Sequence, residues 1–325
     1  MNIKILGIVF VTLLLAVILI QVRDSRKGDK SDILDEVQLE QVDTNKVTRI
    51  KVTDYKEPGK TISIAITNNG WQVSEGNKSF TADPVFVKNM LENLASMKLE
   101  RIAATRKENW AKYNVDDSSG VYVQVMESDK VVAELIIGRF SYKQISNQSY
   151  NPYMNQTPEI STFIRKKDDQ AVLLVKGMMS MIFNNLDIDR IRDKKLVNVS
   201  PGNIKRIHFQ YPGDSSYSLV KNNEHWSING TKTDSLKTQQ YIKKVANLRN
   251  FDLADDDKKL LNDSPKYIVK IEGDNFNPID IKAYPADTIH KYIITSSSNL
   301  GTYFSSKNKL FDQIFVSSKY LIDKK

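Results

Sequence analysis

The sequence predicts an α+β protein: an N-terminal transmembrane helix, then two tandem, internally repeated modules of antiparallel β-hairpins packed with helices. Three observations predict it. An unbroken apolar run opens the chain, strand-like alternations bounded by turn residues dominate the remainder, and the order of those signals occurs twice.

The apolar run extends from Ile5 to Ile20, is lengthened by Gln21 and Val22, and stops at Arg23; only Lys4 precedes it as a charge. At a rise of about 1.5 Å per residue, about 18 residues approach the ~30 Å hydrocarbon core, so one helix can span a bilayer. A cleaved signal peptide would have a shorter core and a small-x-small site, whereas this run ends Leu19-Ile20-Gln21-Val22-Arg23. The chain contains no Cys for lipoprotein attachment. Residues 1–22 are therefore read as an uncleaved anchor and 23–41, charged and aperiodic, as a juxtamembrane linker. Arg23, Arg26, Lys27 and Lys30 after the run favour a cytoplasmic body by positive-inside counting, while the absence of Cys suits an oxidising compartment. These residues leave orientation open.

The first module is placed at 42–198 and the second at 199–325. Val47–Val52 alternates as a half-buried strand, and so does Ile204–Phe209. Each is followed by a hairpin with a Trp after its turn: Asn68-Asn69-Gly70-Trp71, then Asn222-Asn223-Glu224-His225-Trp226. A helix comes next in both. Asp83-Pro84 supplies a cap and a first-turn proline before the apolar face Val87, Met90, Leu91, Leu94 and Met97. Asp234 precedes Tyr241, Ile242, Val245 and Leu248 in the same way. Further hairpins join Val121–Val125 to Val131–Ile137 and Tyr267–Ile271 to Ile279–Ala283. Offsets between halves drift from 157 through 151 to about 146, as diverged copies with loop changes require. Recurrence of the Trp in both halves favours packing over binding. Gly177–Phe183, with three Met, reads as a core helix after the strand Val172–Val175.

Composition narrows the function. Hydrophobic residues at 40% and aromatics at 9% are globular values. Net charge is +8, of which residues 1–30 carry +3, so the body has a mild excess with no like-charge block. A nucleic-acid partner would need clustering, and none is expected. Cys nucleophiles are excluded. The three His residues, His208, His225 and His290, are scattered, no Gly-x-Ser-x-Gly elbow exists, and no zinc pattern occurs, so no catalytic residue and no metal is expected. Gly59-Lys60-Thr61 lacks the upstream Gly of a P-loop and leads into a strand, and no Gly-x-Gly-x-x-Gly occurs, so no cofactor is expected. Asp255-Asp256-Asp257 fails the calcium-loop pattern and reads as a solvated acidic turn.

The stretch Ser141–Ser161 is the recognition candidate. Tyr142, Tyr150 and Tyr153 alternate with amides, among them Asn151 and Asn155, the chemistry of sugar or polar protein contact. The second module has only a short turn around Pro285-Ala286-Asp287 at that place.

In sequence, these signals resemble the bacterial domain-of-unknown-function family 4340 over roughly residues 42–325. The resemblance rests on the Val47–Val52 strand, the Gly70-Trp71 turn, Ala82-Asp83-Pro84, Ile137-Gly138-Arg139, and the Asp187–Leu196 segment with Arg190, Arg192, Asp193 and Lys194. It implies a membrane-anchored protein facing outward, in several bacteria encoded beside ABC-transporter components of the gliding-motility or exopolysaccharide-export type. No activity is established for the family, so it brings no catalytic residues. The expected protein is a single-pass component of the bacterial inner membrane with an extracytoplasmic body. Its expected role is that of a non-enzymatic accessory or binding protein with a protein partner in a membrane complex. The alternatives are envelope glycan binding, a carboxylate-dependent hydrolase, and a passive spacer.

Overall fold

A computed structural model describes residues 39, 41–143, 159–223, 225–256, 261 and 264–322. The apolar N-terminal run, most of the linker, and Tyr150, Asn151, Tyr153 and Asn155 lie outside them, as do Glu224 and Asp257. No helix among the described residues is long and apolar enough to cross a membrane.

The fold is α+β, built on two antiparallel sheets. The first half supplies β1 (Arg49–Asp54), β2 (Thr61–Thr67), β3 (Gly70–Glu75), β4 (Lys78–Thr81), helix α1 (Pro84–Ala95) and β5 (Lys98–Ala104). A short helix α2 (Trp110–Tyr113), β6 (Val121–Glu127), β7 (Lys130–Lys143), β8 (Glu159–Lys166), β9 (Val172–Lys176), α3 (Met179–Phe183) and α4 (Ile188–Ile191) follow. The second half supplies β10 (Ile204–Gln210), β11 (Tyr217–Asn222), β12 (His225–Ile228), β13 (Thr231–Lys232) and α5 (Ser235–Ala246). It continues with β14 (Tyr267–Gly273), β15 (Ile279–Pro285), β16 (Tyr292–Ser296), β17 (Asn299–Ser305), α6 (Leu310–Ile314) and α7 (Ser318–Ile322).

The nine-stranded sheet runs β4-β3-β2-β1-β6-β7-β8-β9-β5 and the eight-stranded sheet β13-β12-β11-β10-β14-β15-β16-β17. Strand for strand the two orders correspond, and β5 has its counterpart in a single bridge from Leu253 to Phe304 beside β17. Burial follows the same correspondence. Val87, Met90, Leu91 and Leu94 are buried on α1; Thr238, Tyr241, Ile242 and Val245, each 151 residues later, are buried on α5. Asp83 accepts from the Val85 amide at 2.9 Å and Asp234 from the Lys237 amide at 2.9 Å, so both helices begin at a carboxylate cap.

By contacts the chain divides into two units: residues to Ala65 with Val87–Asp187, and Ile66–Phe86 with Ile188 onward. In the first unit, β1 and β6 bury alternate residues, Ile50 and Val52 beside Val121, Val123 and Val125. β9 buries four consecutive side chains because a second cluster, Trp110, Tyr113, Val115 and Phe163, covers its other face. In the second unit, one core gathers Ile207, Phe209, Leu219, Ile271 and Ile281 under Tyr241, Ile242 and Val245 of α5. Tyr211 and Tyr217 donate to the Val316 carbonyl at 2.8 and 2.7 Å, and Tyr241 donates to that of Ile314 at 2.8 Å. Burial pushes all three phenols up, so they remain donors.

Four local expectations change. The α1 helix stops at Ala95, so Met97 lies beyond it, half-buried just before the unforeseen β5. Leu248 likewise lies past α5, and its carbonyl accepts from Leu196 at 2.8 Å. Of the three Met in Gly177–Phe183 only Met179 is buried; Met178, just before α3, and Met181 are 46% and 42% exposed. Asp255 is no solvated turn residue, since it accepts from the Tyr303 amide and pairs with buried Arg192 at 2.5 Å.

Candidate binding site

Tyr142 is the only described member of the predicted recognition set. It belongs to β7 rather than to a loop, because that strand continues to Lys143 and pairs with β8, Tyr142 opposite Ile160. Its side chain is 69% exposed. No signal in the alternation marked this extension: the strand is irregular between Ile137 and Phe140, which interrupts the period-two pattern.

The better-built site is in the second half. β12 returns along β11 with Trp226 directly opposite Lys221, which places both side chains on one face. The turn beyond is fixed where Thr233 donates to the Trp226 carbonyl from its amide at 3.0 Å and its hydroxyl at 3.1 Å. α5 then lays Ser235, Gln239 and Lys243, spaced four apart, along the same hollow, with buried Ile242 beneath. Pro201 and Gly202 close one end, and Lys232 and His225 stand at the sheet edge. The cavity encloses about 220 Å³.

Among the described residues its lining is neutral or basic throughout. Among the described residues, the side chains of Lys221, Lys232 and Lys243 make no hydrogen bond or ion pair. Trp226 is half-buried: it packs on the core, as expected of it, and also contributes to the wall of the cavity. The corresponding helix positions in the first half, Lys88 and Glu92, pair at 3.6 Å and cancel; Gln239 and Lys243 leave a free charge. Sequence reasoning passed over the lysines because they come from three separate elements.

The histidines separate by environment. His208 places Nδ1 2.7 Å from Ser218 Oγ and Nε2 3.4 Å from Glu272 across three neighbouring strands. Glu272 is committed elsewhere: Lys270, at 2.8 Å, holds its carboxyl below the usual range, with His208 and Arg206 adding to the effect. His290 is buried with Nδ1 2.9 Å from Ser305 Oγ. Among the described residues no group of three or more His, Asp and Glu could hold a metal.

Comparison with known proteins is brief. No curated protein and no solved structure matches the chain. Residues 154–265, from just before β8 to beyond α5 and including the Trp226 cavity, match the family model described as Domain of unknown function (DUF4340).

Proposed function

We propose that this chain is a membrane-anchored, non-enzymatic binding protein of the bacterial envelope, accessory to a membrane complex of the ABC-transporter type. One observation carries the binding part: the Trp226 cavity, which combines an aromatic wall, an amide and three unneutralised lysines in one place. Such a mix of apolar wall and few polar groups is what ligand sites use. The anchor is supported by the apolar run Ile5–Ile20, and the outward-facing body and transporter association by the family resemblance. We also read residues 42–198 and 199–325 as copies of one module; the shared strand order supports that reading. One copy then keeps the cavity for a ligand.

The test is purification of the full-length chain from native membranes in mild detergent, with mass spectrometry of what accompanies it. Transporter subunits retained by the full-length chain and lost from residues 31–325 are the expected result. A solitary protein would sink the accessory role.

A further inference from the structure

The binding reading above leaves its ligand unnamed, and the cavity's chemistry narrows it. We propose that the Trp226 cavity takes an acidic saccharide, one sugar ring bearing a carboxylate; this rests on the reading of the cavity as the binding site.

Four observations carry the assignment. The charge is unbalanced and local: Lys221, Lys232 and Lys243 converge from β11, β13 and α5, and among the described residues no carboxylate lines the cavity. Three ammonium groups held near one another repel, and an anion between them removes that cost. Second, the helix start cannot be the anion's seat, because Asp234 already caps it with a negative charge. The anion must be met by side chains, and lysines meet it as point charges that impose no one anion geometry, so the choice of ligand falls to the wall beside them. Third, the half-buried Trp226 offers an apolar face beside the charges, matched by a ligand with an apolar ring face and hydroxyls. Gln239 and Ser235 supply donors and acceptors for those hydroxyls. Fourth, at about 220 Å³ the cavity is smaller than the roughly 300 Å³ lower bound of drug-sized sites. It admits one ring of a polymer whose neighbours continue into solvent past Lys232 at the open sheet edge.

The experiment is isothermal titration of the full-length chain in mild detergent with tri-galacturonate, with neutral maltotriose and with inorganic phosphate. Binding of tri-galacturonate alone, weakening with added salt, is expected. The triple variant K221Q/K232Q/K243Q should lose about tenfold or more in affinity. Because Lys232 and Lys243 are exposed and Lys221 half-exposed, this variant should keep its melting temperature. Equal binding of maltotriose, undiminished in the triple variant, would overturn the acidic preference; if Trp226→Leu abolished it, the cavity would stand as a neutral-sugar site. Phosphate binding as tightly as tri-galacturonate would show an anion site with no sugar selectivity and overturn the inference. No binding of any probe would overturn it too, while the accessory role would still stand or fall by co-purification.

Discussion

Arg165 and Arg192 are the largest side chains almost wholly removed from water among the described residues, and they meet that cost differently. Arg165 donates from Nε to the Val115 carbonyl at 3.0 Å, from Nη1 to that of Lys167 at 2.7 Å, and from Nη2 to Asp117 at 3.0 Å. Its guanidinium lies 3.6 Å over the Trp110 ring. Arg192 has ionic contacts, Asp189 at 3.1 Å and Asp255 at 2.5 Å, whose angles fall short of hydrogen bonds, and it faces Phe80 at 4.3 Å. Replacing Arg165 by Met should cost about 3 kcal/mol in denaturant unfolding, since buried carbonyls lose their donors. Arg192→Met should cost at least as much, because it leaves the carboxylate of Asp255, 21% exposed, without its cation, whereas Asp117 beside Arg165 is open to water. The resemblance singled out Arg192 within a charged segment, yet its burial depends on Asp255, a distant residue in what read as a solvated turn. Close approach explains two glycines. A Cβ on Gly273 would meet the Asn203 carbonyl oxygen at 1.9 Å, and one on Gly138 that of Tyr113 at 2.2 Å. Gly273→Ala should therefore lower the melting temperature by several degrees, as about 2 kcal/mol of overpacking would.

Among elements, the turn Asp116–Gly120 carries a pH signature. Burial raises the Asp116 carboxyl, but the Ser118 and Ser119 hydroxyls and the Ser118 amide outweigh it and hold it at about 2. A carboxyl depressed on folding stabilises above its unfolded pKa, and that share is lost as pH falls from about 4 toward 2. Asp116→Asn should flatten the stability profile across that interval, measured by urea unfolding at stepped pH. The tyrosine anchors make a second element-level case. Tyr241→Phe leaves the Ile314 carbonyl without its donor, at about 1–2 kcal/mol by the same measurement. The helices α1 and α5 were legible because cap, proline or polar start and apolar spacing agree in each. β5 was not, since its register shifts twice, between Leu99 and Arg101 and between Ile102 and Ala104, and its burial does not alternate. The cavity was illegible for a different reason: no local pattern announces three lysines meeting from separate elements.

For the whole molecule, orientation is the open quantity, and the absence of Cys makes it measurable. Asn77, exposed in the turn before β4, can be replaced by a single Cys without a competing thiol. An extracytoplasmic body predicts labelling of Asn77→Cys by a membrane-impermeant maleimide in cells with a permeabilised outer membrane but an intact inner one. Labelling only after lysis would place the body inside, where the positive charges after the apolar run would put it. What the sequence revealed at this scale was the order of the strands and helices it marked, without β5, β8, β16 and β17. That order survives insertion and drift because each strand is specified by its own alternation.

The brevity of β13 has a consequence beyond the cavity. It contains only Thr231 and Lys232, and β4 at the corresponding edge only four residues, all but Phe80 exposed. A longer flat edge would offer unpaired amides and carbonyls to any neighbouring copy, and proteins crowded on one surface meet sideways often. Stubs of this length give a visiting strand too few rungs to zip onto. The shortness of β13 beside the Trp226 cavity thus also denies this edge of the sheet a template for fibrous growth, and a graft that extended β13 would forfeit that protection.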